Sequence, residues 1–294
     1  MVLPGLFSAI IAATIWALVI FLYKKYMESH GALVVNFSRL FYVSTLMSPV
    51  LILITPSQGL WAAAFSGIIT LLVGDSLYFY AIHKVGGSIA APLTYTYIII
   101  AQYFALLLGE QVTPLLIVSS LLIVLGVSLL TRGGGAKLSA AGVGAALLAA
   151  LMWSLGMTAI KLAALQGVSP IIIAYIRALS AGLLLGLYLW AKGRLEVVKS
   201  PVFAIASLLD LGAGSALFAY SVERVGLALS TILVSIAPLI TQLFAKISGL
   251  ERLTYRQMLG AVVIFLAIVL AVSSIQSLPL TVPTTKSGTS NSPP

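Results

Sequence analysis

The 294-residue chain contains no cysteine, only two histidines and only seven acidic residues. Without cysteine there is no disulfide framework, no thiolate metal site and no cysteine nucleophile. Charged residues make up 8% of the chain, against roughly 25% in an ordinary soluble domain. A folded surface so poor in charge is not solvated by water, and most of it must face lipid. The motif Gly-x-x-x-x-Gly-Lys-[Ser/Thr] is missing, so nothing points to ATP hydrolysis. The net charge of +9 could suit nucleic acid. The 16 basic residues are scattered between apolar runs, however, with no basic stripe interleaved with aromatics, and nucleic acid is set aside. His30 and His83 are expected in loops, and no metal-ligand spacing or nucleophile motif appears. No catalytic residue, metal or cofactor is assigned.

What is present is apolar length. Hydrophobic residues are 61% of the chain and the mean hydropathy is +1.14. A helix crossing the hydrocarbon needs about 20 apolar residues, and ten such runs are read at about 3–23, 31–54, 61–82, 87–109, 113–131, 140–164, 169–191, 200–221, 226–248 and 254–275. Runs such as Leu115–Leu130 are continuously apolar, which excludes the alternating strands of a transmembrane barrel. Gly31, Thr55-Pro56-Ser57, Gly86-Gly87 and Arg132-Gly133-Gly134-Gly135 mark breaks, and Thr113-Pro114 has the N-cap and N1 pattern of a helix start. The first run lacks a basic n-region, against a cleaved signal peptide. Residues 277–294, rich in Ser, Thr and Pro, read as a disordered tail.

The chain repeats itself. Trp16 and Lys24 recur at one common offset as Trp153 and Lys161, and Arg39 recurs as Arg177. Gly74, Tyr80, Lys84, Val85 and Gly86 recur, again at a common and only slightly larger offset, as Gly214, Tyr220, Arg224, Val225 and Gly226. Gln102 recurs as Gln242, and Glu110 and Thr113 recur as Glu251 and Thr254. Residues 1–132 form a first five-span unit and 140–276 a second, joined by 133–139. Five is odd, so the second unit enters the membrane from the opposite side. Inverted repeats of this kind build many secondary transporters, with the substrate site near the midplane at the repeat interface. The fold class is therefore an all-α integral membrane protein of ten helices in two inverted five-helix repeats.

Two five-span repeats, each closing with Glu-x-[Val/Leu]-Thr before its last helix, resemble the drug/metabolite transporter superfamily, and specifically its EamA-like ten-helix members. The likeness covers about residues 3–275. It rests on Arg39 and Arg177, the turns Lys84–Gly86 and Arg224–Gly226, and the corners 109–113 and 250–254. Pro238 matches a proline common in the fourth helix of such a repeat; the first half has Tyr97 there, from which the halves are expected to differ in flexibility. The resemblance implies a transporter of small organic solutes, often an exporter, working without ATP. Amino acids and amphipathic compounds are among the candidate substrates.

Four ionisable residues fall inside spans, where they are costly and functional by default: Arg39, Asp75, Arg177 and Asp210. At 1.5 Å per residue, Arg39 and Asp75 both lie roughly 11–12 Å from one face and are expected to meet. The same reckoning pairs Arg177 with Asp210 from the opposite face. Two readings stay open: the pairs lock the bundle, or Asp75 or Asp210 takes up a proton or meets a substrate amine. Thr231, Ser235, Pro238 and Gln242 are spaced to line one helical face, and Tyr95 and Gln102, with Thr94 adjoining, lie on the matching face of the fourth span. Together these are expected to line a substrate cavity, or else to hydrogen-bond between packed helices. Trp16 and Trp153 lie deep enough to stack a planar substrate, and Tyr78 is one turn beyond Asp75. Tyr23, Tyr26, Trp61 and Trp190 are expected at the interfacial belt. Glu110 and Glu251 are expected to cap the next helix or hold a nearby base, and Gly182-xxx-Gly186 to allow close packing.

Eleven basic residues fall in loops after odd-numbered spans and three on the other side. The positive-inside rule then places both termini outside, whereas the family resemblance implies cytoplasmic termini. A channel or uncoupled facilitator, and a membrane-embedded enzyme, are the competing readings. The implied partners are a small-molecule substrate, the lipid bilayer and protons; monomer and homodimer both remain open.

Overall fold

A computed structural model describes residues 2–131, 139–248 and 254–274. The inter-repeat residues Gly133 and Lys137, the corner with Glu251 and Arg252, and the tail 277–294 lie outside the described residues. Among the described residues there are helices, turns and short irregular connections such as 54–57, 110–113 and 194–200, and no strand. The first repeat runs α1 (Val2–His30), α2 (Ala32–Leu46), a 3-10 turn (Ser48–Leu53), α3 (Gly59–Gly67), a π-helical segment (Ile68–Gly74), α4 (Asp75–Val85), α5 (Gly87–Tyr95), α6 (Tyr97–Leu107) and α7 (Pro114–Leu130). The second runs α8 (Ala140–Leu165), α9 (Pro170–Ala191), α10 (Pro201–Ser207), a π-helical segment (Leu208–Gly214), α11 (Ser215–Val225), α12 (Leu227–Val234), α13 (Ala237–Ile247) and α14 (Tyr255–Ser273). Among the described residues, eight stretches are long and apolar enough to cross a membrane; α2 and α7 are shorter apolar helices of 15 and 17 residues.

The breaks have local causes. Gly31, Gly86 and Gly226 adopt φ of +81°, +74° and +89°, which side-chain-bearing residues rarely tolerate, so each reverses the chain tightly. Thr113 caps α7, its Oγ1 accepting from the Leu116 amide at 3.3 Å, and Pro114 takes the first helical position. His30 and His83 stand in the last turns of α1 and α4, not in loops. Helical propensity simply carries both helices through them.

The packing is that of a membrane bundle. Many large side chains point outward, among them Leu3, Phe7, Leu183, Leu187, Trp61 and Trp190, while the interior combines small residues such as Ala9, Ala12, Ala146, Ala149, Ala178 and Ala181 with large ones such as Tyr175, Phe203 and Phe218. Small residues let backbones approach where lipid offers no hydrophobic drive for helix association. A methyl at Gly182 would press on Leu40 and one at Gly186 on Phe37, so this pair does seat α9 on α2. Gly126 and Gly260 do the same for α7 and α14.

Contacts between the helix ends define two faces. On the near face, Tyr26 Oη donates to Ser200 Oγ at 2.8 Å, and Gly142 packs on Lys84 and Val85. On the far face, Gly5 packs on Arg224 and Val225, and Ser57 Oγ donates to the Gln166 carbonyl at 3.4 Å. Gly5 and Gly142 stand at the offset that relates Trp16 to Trp153. Their contacts are thus repeat equivalents on opposite faces, as an inverted repeat requires.

The ninth span breaks between α12 and α13. Pro238 has no N–H to donate, and the Ser235 and Ile236 amides tighten onto the Ile232 and Leu233 carbonyls at 3.2 Å. The fourth span breaks at the equivalent place, between α5 and α6, although it lacks that proline. There Thr96 Oγ1 donates to the Leu93 carbonyl at 2.6 Å, and Pro92 lies inside α5. Both repeats thus break at this point, one with the proline at the equivalent position and one without it.

Candidate functional site

The charged centre lies where the two π-helical segments face the opposite repeat. Arg39, on α2, forms an ion pair with Asp210, Nε to Oδ2 at 2.9 Å. Tyr23 Oη donates to the same Oδ2 at 2.9 Å, and its ring lies 4.9 Å under the Arg39 guanidinium. Span depth alone predicts Asp75 as the partner of Arg39. It misplaces Asp210, whose helix starts on the near face at Pro201, so that Asp210 sits at Arg39's own level. Nor does Arg177 meet Asp210. Its Nη2 lies 3.4 Å from Thr70 Oγ1.

These contacts follow the repeat. Thr70 and Asp210 stand at the same offset as Gly74 and Gly214, and each is the third residue of its π segment. Each receives an arginine from the other repeat. Trp16 and Trp153 cross the same interface, lying on Gly214 and Gly74, where a methyl group would collide with the indole. Trp16 Nε1 donates to the Asp210 carbonyl at 3.2 Å, and Trp153 Nε1 donates to Asp75 Oδ1 at 3.1 Å. Asp75 makes no ion pair within 4.0 Å among the described residues. The π segments set this geometry by their wider turn: Asp75 follows the first segment and Asp210 lies within the second, and the Leu71 carbonyl of the first accepts from Asn36 Nδ2 at 2.8 Å.

Aromatic rings flank Asp75. Trp153 lies 5.2 Å from Tyr78 and 5.9 Å from Tyr97, and Tyr95 lies 5.7 Å from Tyr97. The polar residues of the fourth and ninth spans are placed differently from the expected cavity wall. Thr94, Thr231 and Ser235 are fully buried, and their hydroxyls donate to the Ala90, Ala228 and Ile232 carbonyls of their own helices. Gln102 Nε2 donates to the Ala228 carbonyl at 3.0 Å, linking α6 to α12. Gln242 stands beyond the break, on α13, and its Oε1 has no hydrogen-bond partner among the described residues. The break thus splits the face that a continuous helix would have presented. Tyr23, expected in the belt, is instead 3% exposed and part of the centre. Its spacing of seven from Trp16 puts both on one face of α1, which is the signal that locates it. Among the described residues no three His, Asp or Glu side chains gather as metal ligands would.

The sequence matches the EamA-like transporter family twice, over residues 3–132 and 140–273. The chain belongs to the EamA-like transporter family. It is also similar, at 26% identity over 267 residues, to an uncharacterized transporter of Archaeoglobus fulgidus; the match covers 88% of this chain and 94% of that protein. A solved crystal structure superposes with a TM-score of 0.74 at 16% identity, covering 91% of this chain and 98% of its own, and shows the shared fold. The protein is therefore a multi-pass membrane transporter.

In this EamA-like transporter the far face is fastened across the repeats. Glu110, which follows α6, does not cap the next helix, whose cap is Thr113. Its Oε1 accepts from the Leu227 amide at 2.7 Å and its Oε2 from the Ala228 amide at 3.0 Å, at the start of α12. Lys161 Nζ lies 3.1 Å from Oε1. A negative group at a helix N-terminus satisfies open amides and the dipole together. Gly226 admits it, since a side chain there would strike the carboxylate. Beneath this clasp every residue of α12 is buried, whereas α13, the near-face half of the span, buries only Ala245. Lys24, the repeat equivalent of Lys161, is exposed on the near face. Glu110→Ala removes two charge-assisted hydrogen bonds and an ion pair, and about 3 kcal/mol of closure with them. In this cysteine-free chain, a cysteine at Thr231 will react with a membrane-impermeant maleimide at least about tenfold faster when Glu110 is Ala. An unchanged labelling rate would show that the clasp does not hold the face shut.

Proposed function

We propose that the chain is a secondary active transporter that exports small organic solutes, amino acids or amphipathic compounds, by alternating access. Its drive is proton exchange at Asp75. One observation carries the reading: the main polar contacts of the centre and of the far-face clasp join one repeat to the other. Arg39 with Asp210, Trp153 with Asp75, Trp16 with the Asp210 carbonyl and Glu110 with α12 all cross that interface. A rocking of the repeats breaks and remakes them as a set, which supports two-state exchange rather than a standing pore. The clasped far face and the looser near-face half of the ninth span fit one end state of such a cycle.

Asp75 is favoured over Asp210 as the coupling group because Asp210 is committed to Arg39 and Tyr23. The charged and titratable groups around Asp75 are Arg39, Arg177, Asp210 and Tyr78, and its direct partner is the neutral Trp153 indole. The aromatic side chains beside it suit an apolar or planar portion of a solute. Purified protein in proteoliposomes is expected to show saturable uptake and counterflow of its solutes. Uptake that rises linearly with concentration and shows no counterflow would mark a channel, and an enzyme would show neither saturable uptake nor counterflow.

A further inference from the structure

We propose that the transported solute carries a carboxylate, and that Arg177 with Thr70 receives it. The assignment rests on the carrier reading and deepens it. The two arginines occupy equivalent places in the two repeats, each reaching the third residue of the other repeat's π segment. In one place the chain supplies its own anion: Arg39 Nε lies 2.9 Å from Asp210 Oδ2. In the other, the equivalent residue is Thr70, and the carboxylate is cut back to a hydroxyl. Arg177 is 5% exposed, its Nε has no hydrogen-bond partner, and no carboxylate lies within 4.0 Å of it among the described residues. Arg39 Nε makes no hydrogen bond of good geometry either, but it has the Asp210 carboxylate at 2.9 Å, whereas among the described residues Arg177 Nε has no such counter-charge.

A buried guanidinium without an anion is costly, and the cost falls when a hydrogen-bonded counter-charge arrives. Arginine presents a planar fork suited to carboxylates. Thr70 Oγ1 donates to the Ser66 carbonyl and so offers Arg177 only a lone pair; it neutralises nothing. The obvious internal candidate is Asp75. Its amide donates to the Thr70 carbonyl, one π turn along the same segment, but its Oδ1 is held by Trp153. The centre therefore holds a closed ion pair on one side and a separated positive and negative group on the other. A solute carboxylate completes the open side as Asp210 completes the closed one.

The test uses the full chain in detergent, melted in sodium acetate, sodium chloride at equal ionic strength, or acetamide. Acetate is expected to raise the unfolding midpoint by about 3 °C over chloride at ten times its Kd, and acetamide to leave it unchanged. Thr70→Asp, which installs the other half's carboxylate, is expected to raise the midpoint unaided and to lose the acetate shift. Arg177→Gln loses the acetate shift as well, and keeps the proposal testable if Thr70→Asp does not fold. A chloride effect equal to that of acetate, no acetate shift in the natural chain, or equal acetate shifts in both variants would overturn the assignment. Counterflow of L-phenylalanine and of phenethylamine in proteoliposomes separates the two readings. If the amine moves and the acetate shift is absent, the anion site fails and the carrier stands. If acetate binds through Arg177 and no solute exchanges, the site stands and the carrier reading fails.

Discussion

Arg39→Gln is expected to cost the folded protein about 3–5 kcal/mol, the range for removing one partner of a buried ion pair. The loss comes from Asp210, which is 4% exposed and, without its ion-pair partner, must either hold a buried charge or be driven to take up a proton, at a cost in both cases. Tyr23 Oη supplies one hydrogen bond, and Trp16 reaches only the backbone carbonyl. Asp210→Asn in the same chain removes the stranded charge and is expected to recover most of the loss. Denaturant unfolding of the natural chain, the two single variants and the double variant gives the coupling directly. A double variant as unstable as Arg39→Gln alone would mean that the pair is not the source of the effect. Arg177→Gln should behave otherwise. Among the described residues no carboxylate touches Arg177, so its removal strands nothing, and the loss is expected to be small. Two arginines related by the repeat would thus differ sharply in what their deletion does.

That difference was only half legible in the sequence. The repeat could be read because Trp, Arg, Gly and [Lys/Arg]-Val-Gly recur in order at a nearly constant offset. With it came the inverted architecture and the four intramembrane charges. The partners could not be read from depth alone. Treating each span as an even α-helix set Asp210 against the wrong face and hid the π segments, whose wider turns leave no mark in hydropathy. Yet the offset that relates Gly74 to Gly214 also pairs Thr70 with Asp210 and Asp75 with Ser215. Read that way, the two carboxylates are not equivalents but occupy two different positions of one repeated site, one in each half. Polar spacing in the ninth span misled for a related reason. Thr231, Ser235 and Gln242 share a face only on an unbroken helix, and Pro238 breaks it. The hydroxyls then turn to their own backbone, as Ser and Thr do in an apolar interior. Glu110 could be read as a corner residue, but its true partners, Leu227, Ala228 and Lys161, belong to the other repeat and leave no local pattern.

The second large effect is expected at Asp75. In proteoliposomes with a pH gradient of one unit, one-for-one exchange of solute against protons can hold at most about a tenfold solute gradient, since one pH unit is worth about 1.4 kcal/mol. Extrusion should follow protons entering, so solute leaves the acid-poor compartment. Asp75→Asn keeps an oxygen for the Trp153 indole but cannot exchange a proton. Its accumulation is expected to fall from tenfold to none, while counterflow at equal pH continues, because binding and rocking do not need the charge to change. The rate should also become flat with pH. Asp210→Asn is expected to retain the pH drive, at reduced stability, since that carboxylate is occupied by Arg39 in the closed pair. If both variants accumulate solute as the natural chain does, neither carboxylate couples transport, and the four charges serve only to hold the two repeats together. If Asp75→Asn alone loses the gradient, the role follows from the asymmetry of the repeat: the carboxylate that no arginine holds is the one free to carry the proton.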